Sequence, residues 1–105
     1  SDVYKRQIMT FETFPWDPVQ SLTTDAARKA YLEAAFADGD PKLIAAALGD
    51  IARSKGVSII AKEAGLSRDA IYKTFRAEGN PTLGSVAKLA AALGYQLSIT
   101  ERTRI

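Results

Sequence analysis

The stretch from Ser58 to Lys73 (Ser-Ile-Ile-Ala-Lys-Glu-Ala-Gly-Leu-Ser-Arg-Asp-Ala-Ile-Tyr-Lys) constrains the fold of this 105-residue chain more than any other. A serine opens a run of helix-compatible residues, a glycine interrupts it, and a second serine opens another run. This order predicts two short capped helices joined by a tight turn. Gly65 can adopt the left-handed backbone that reverses a chain. Ala61 is small where the two helices must nearly touch, and Leu66 and Ile71 are placed to fill the wedge between them. The pattern is that of a helix-turn-helix, whose second helix stands clear of its domain and fits the DNA major groove, ~12 Å wide. An ordinary helical hairpin in a small bundle uses the same Ala, Gly and Ile spacings. The outward face of the second helix favours DNA, because Arg68, Asp69, Tyr72, Lys73 and Arg76 fall on one side and include a single acid.

The rest of the chain supplies a frame for these helices. A first helix is expected from Thr24 to Asp38, capped by Thr23, Thr24 or Asp25, with Ala27, Ala30, Tyr31, Ala34 and Ala35 as its apolar face. Gly39 stops it. Asp40 then caps a second helix with Pro41 at its first position, where the missing N–H costs nothing. Leu43, Ile44, Ala47, Leu48, Ile51 and Ala52 repeat at helical spacing as far as Lys55, and Gly56 ends that helix. Ser58 is read as the cap of a third helix, Ile59 to Ala64. Ser67 caps a fourth, Arg68 to about Glu78, and Gly79-Asn80-Pro81 breaks it. Thr82 caps a fifth helix that ends at Gly94. Tyr95 to Thr100 alternates apolar and polar residues and predicts one short strand, whose Leu97 and Ile99 would pair with the same strand of a second subunit, since a lone strand leaves its backbone unpaired. The expected fold is therefore all-α, a small five-helix domain with a lambda-repressor-like core and a short C-terminal strand.

Composition narrows the function. The chain has neither Cys nor His, so thiol chemistry and disulfides are excluded, and a metal or cofactor enzyme is not expected. No nucleophile–base pair or phosphate loop is evident. No apolar run approaches the ~20 residues of a membrane span, and no signal-peptide pattern is present, so a cytoplasmic protein with no membrane partner is expected. Charge is divided unevenly. Residues 9–49 hold three basic side chains against six acidic ones, whereas residues 50–105 hold nine basic against five acidic. Such asymmetry suggests two surfaces with two partners, although chance clustering produces it too.

The N-terminal residues Ser1 to Gln7 look like a translated sequencing adapter, with Met9 as the expected start, and residues 1–8 are set apart from the fold reasoning. Residues 9–40 read as an arm plus the first helix, residues 41–100 as the DNA-reading domain and residues 101–105 as a tail. In the arm, Pro15 and Pro18 interrupt any helical period. Phe11, Phe14 and Trp16 must cover either the domain's own core or a partner.

Several ordered motifs resemble the family of addiction-module antidote proteins. They are Ala37-Asp-Gly-Asp-Pro41, Ala47-Leu-Gly-Asp-Ile-Ala-Arg53, Ala61-Lys-Glu-Ala-Gly-Leu-Ser-Arg68, Ile71-Tyr-Lys73, Glu78-Gly-Asn-Pro-Thr82 and Ala92-Leu-Gly94. The resemblance spans residues about 20 to 100. It implies a helix-turn-helix antitoxin, a RelE/ParE-type toxin as partner, and repression of the shared promoter. Two departures stand out: Ile59 sits where the family often has Gln, and Phe14-Pro-Trp-Asp-Pro18 is a variant arm.

Roles follow from residue chemistry. Arg68, one residue into the second helix, suits a guanine edge. Asp69 can accept from a cytosine amino group, orient Arg68 or simply complement the helix dipole. Lys73 reaches a base or a phosphate. Tyr72 reaches a thymine methyl or a phosphate, or packs on the domain. Arg76 and Lys62 are phosphate candidates, and Ser58 and Ser67 open helices whose N–H groups can hold phosphate. Phe11, Phe14 and Trp16 are the candidate toxin anchors, with a flap over the core as the competing role. Operator DNA, a toxin and a second copy of the chain are the expected partners. A stand-alone repressor without a toxin, or a protein-interaction module that has lost DNA binding, are the alternatives.

Overall fold

A computed structural model of the chain describes residues 22–102. Five helices occupy them: α1 (Asp25–Asp38), α2 (Pro41–Lys55), α3 (Val57–Ala64), α4 (Arg68–Thr74) and α5 (Leu83–Ala92). Four of the starts are fixed by side-chain caps. Thr24, Asp40, Ser67 and Thr82 each accept a hydrogen bond from a first-turn N–H, and Pro41 stands at the head of α2. No helix among the described residues is long and apolar enough to cross a membrane.

The core forms where these helices cross. Leu48 and Ile51 of α2, Ile71 of α4 and Leu89 of α5 are its largest fully buried side chains. Ile60, Ala61 and Ala64 of α3, Phe75 and Leu93 pack with them, and Leu22 joins from ahead of α1. Helix α1 packs chiefly on α2, and α3 on α5. The α1 contact differs from expectation. Leu32 and Ala35 are buried and Ala27 and Tyr31 are half-buried, but Ala30 and Ala34 face solvent. The helix is rotated so that its larger apolar side chain, Leu32, reaches the core.

Two boundaries also depart from the sequence reading. Helix α3 starts at Val57, with Gly56 (φ 107) serving both as the end of α2 and as an N-cap without a side-chain bond. Ser58 therefore lies inside the first turn and does not cap the helix. Burial of Val57 draws the chain into helix two residues earlier than expected. Helix α4 ends at Thr74, not near Glu78, because Phe75 leaves helical geometry (φ −95, ψ 72) to bury its ring.

The expected C-terminal strand is absent among the described residues. Residues 95–102 carry no regular structure. The Tyr95 N–H donates to the Ala90 carbonyl at 2.8 Å and closes α5 over Gly94. Beyond it Ile99 is almost wholly exposed, and a strand needs a neighbour to pair with.

Candidate nucleic-acid interface

Helix α3, the turn and α4 carry most of the candidate residues, and those they carry are exposed. The turn is closed by two backbone bonds. The Leu66 N–H donates to the Ala61 carbonyl at 3.0 Å and the Gly65 N–H to that of Lys62 at 3.3 Å, with Gly65 at φ 73. This double closure requires the left-handed residue, and glycine takes it without a Cβ penalty. Ser67 then opens α4 by accepting from the Ala70 N–H at 2.9 Å. Leu66 is half-buried against the core and Ile71 is fully buried, as the wedge required.

Helix α4 is held to the domain by little of its own length. Ile71 is its single buried residue, with Phe75 just past its end. Arg68, Asp69, Tyr72 and Lys73 are all exposed. They are ordered among themselves by one-turn contacts. The Arg68 guanidinium lies over the Tyr72 ring, 5.9 Å from its centroid. Lys73 Nζ pairs with Asp69 at 3.2 Å. Asp69 thus engages Lys73, not Arg68, and an exposed pair of this kind contributes ~0–1 kcal/mol. Arg68 keeps its charge uncompensated by Asp69.

Arg76 is the candidate that moves. The expected continuous helix would have put it on the face of Arg68 and Tyr72. It lies instead in the turn after α4, exposed, with Nε donating to the Lys73 carbonyl at 3.0 Å. On α3, Ser58, Ile59 and Lys62 are exposed, and the first turn has no side-chain cap. Its leading N–H groups are therefore left for another acceptor. Phe11, Phe14 and Trp16 lie outside the described residues.

Sequence reasoning passed over a polar cluster between α1 and α2. Asp50 is buried beside the apolar stripe of α2, where it accepts from the Tyr31 hydroxyl at 2.6 Å and from Nη2 of Arg53. Arg28 Nε reaches Ser54 Oγ at 3.1 Å on the same seam. The available signal was an acid at the edge of the buried stripe of α2 with Arg53 three residues on. Burial raises the Tyr31 hydroxyl above the ordinary tyrosine value, and its bond to the charged Asp50 raises it further. A raised folded-state value means that this contribution is complete below the unfolded pKa of ~10 and is lost as pH climbs beyond it. The melting temperature of the wild type is accordingly expected to fall above pH ~10 more steeply than that of Tyr31→Phe. Parallel profiles in a calorimetric pH series would contradict the bond's role.

A family model described as "Probable addiction module antidote protein" matches residues 12–101. An "Uncharacterized protein" of Haemophilus influenzae (strain ATCC 51907 / DSM 11121 / KW20 / Rd) is 37% identical over 93 residues, which cover 89% of this chain and 96% of that protein. No solved structure matches the chain at a significant level.

Proposed function

The chain belongs to the family of probable addiction module antidote proteins, and from that premise we propose that it is the antitoxin of a type II toxin–antitoxin module that binds operator DNA through α3, the Gly65 turn and α4 and represses its own operon. Family membership implies a toxin as partner. The RelE/ParE type of that toxin and the absence of catalysis are parts of the proposal, as is a helix-turn-helix of lambda-repressor-like kind.

The observation that carries the DNA part is the attachment of α4. Its one buried residue, Ile71, leaves Arg68, Tyr72 and Lys73 presented together. A helix whose purpose was packing would bury a wider stripe. The uncapped N-terminus of α3 adds N–H donors suited to a backbone phosphate, with Lys62 on the same helix. On this reading Arg68 reads a base and Lys62 holds the backbone.

Two measurements test the reading. Arg68→Ala should cost about 1–3 kcal/mol on the operator and relax discrimination at one base position. Lys62→Ala should weaken all sequences alike and flatten the salt dependence. Equal, sequence-blind losses from both variants would refute the division of roles. The protein should also act as a homodimer, because one α4 spans too few base pairs to be selective, and two half-sites ~34 Å apart are expected. Sedimentation at the mass of a monomer at micromolar concentration, with and without DNA, would count against this.

A further inference from the structure

The cleft between α2 and α4 holds two arginines, Arg53 and Arg76, that the proposed base-reading face leaves unused. Gly49, Asp50 and Arg53 line it from α2, and Tyr72, Phe75 and Arg76 from the other side. Asp50 is the one buried charged residue among the described residues, and its two oxygens are taken by the Tyr31 hydroxyl and by Nη2 of Arg53. Burying a carboxylate is costly, and an apolar pair of similar volume would join α1 to α2 at least as well. What the carboxylate adds is a fixed guanidinium. The Arg53 side chain is 44% exposed, and a guanidinium carries five N–H donors, of which Asp50 engages only part. Across the cleft, Arg76 is fixed by its own bond to the Lys73 carbonyl. Two guanidinium groups, one held by the buried Asp50 and one by the backbone at the end of α4, thus line a cleft together with the exposed Tyr72, and its one carboxylate is already bonded.

We infer that this cleft seats a DNA phosphodiester, with Arg53 and Arg76 as its cationic donors and Asp50 and Tyr31 as positioning residues. The inference rests on the proposed DNA reading and extends the contact surface from α4 back onto α2. The donor chemistry selects the ligand: planar guanidinium forks match the paired oxygens of a phosphate, and two of them meet an oxyanion without requiring a base edge. A seat of this kind positions the duplex along α4 and is blind to sequence.

The test is fluorescence anisotropy of the full chain with two labelled duplexes, one carrying its own upstream promoter region and one of mixed sequence, over a range of salt. Arg53→Gln is expected to weaken both duplexes by a similar factor, roughly 5- to 20-fold at low salt, and to lower the salt slope by about one. Arg53→Lys should retain the slope. The double variant Asp50→Asn with Arg53→Gln replaces the ion pair by a neutral amide pair. It should melt cooperatively and still show the reduced slope, which separates loss of the seat from loss of the fold. If folded Arg53→Gln binds both duplexes with the wild-type slope, the seat is overturned while the DNA reading stands. If the wild type shows no salt-dependent binding to either duplex, the DNA reading fails and the seat fails with it.

Discussion

Gly49→Ala is expected to lower the melting temperature of the chain by ~12–24 °C, the equivalent of about 3 kcal/mol in a domain of this size. A Cβ built on Gly49 would stand 2.0 Å from the carbonyl oxygen of Phe75 and 3.1 Å from its carbon. Both are backbone atoms, so no rotamer change relieves the clash. Either α2 or the end of α4 must move, and Phe75 and Ile71 are both buried in the core. Total stability in domains of this length is only ~4–12 kcal/mol, so the loss is a large share of it. Gly84→Ala provides the contrast. Gly84 lies in the first turn of α5, with Thr82 Oγ1 the nearest atom at 3.9 Å, and alanine there should raise the melting temperature by a few degrees through helix propensity. Thermal unfolding of the two variants checks both signs. A Gly49→Ala protein melting within ~3 °C of wild type would mean that α4 does not dock on α2 as described. The same substitution should reduce operator affinity at temperatures where the protein remains folded, because the displaced segment carries α4 with it.

The parts of this fold that were legible in the sequence are those set by local chemistry. Thr24, Asp40, Ser67 and Thr82 cap helices because a short oxygen-bearing side chain stands immediately before a helical run in each case. Gly65 marked its turn because the left-handed residue and the wedge residues Leu66 and Ile71 fall within seven consecutive positions. The features that were not legible are decided by tertiary contact. Nothing in Arg76-Ala77-Glu78 discourages helix, and α4 stops because Phe75 turns inward against Gly49, 26 positions earlier. Ala30 and Ala34 are compatible with either face of α1, so their periodicity could not orient it. Asp50 reads as one of many acids until Tyr31 is placed beside it by the packing of α1 on α2. The candidate interface divides in the same way: Arg68, Tyr72 and Lys73 share a face by spacing alone, whereas the positions of Arg76 and Arg53 depend on how α4 meets α2.

Deleting residues 9–18 is expected to weaken the complex with the toxin by about 2–4 kcal/mol and to leave operator affinity within a few-fold of wild type. The deleted segment contains Phe11, Phe14 and Trp16, the residue types that dominate interface energetics, together with Glu12 and Asp17. Its acidic side chains oppose contact with phosphate and favour contact with a basic toxin surface. Leu22, buried in the core, ties the chain to the domain just before α1, so the deletion stops short of the anchoring residue and of every helix described. Loss of one or two buried aromatic anchors at a protein interface accounts for the expected magnitude. The measurement is a pair of titrations on the truncated protein, one with promoter DNA and one with purified toxin, preceded by a melting curve. A truncated protein that unfolds would assign the arm to the core as a flap over its apolar side chains. A truncated protein that folds and binds the toxin normally would move the toxin-contacting surface elsewhere, and the exposed side chains of α1, which include Asp25, Glu33 and Asp38, would then be the next to substitute.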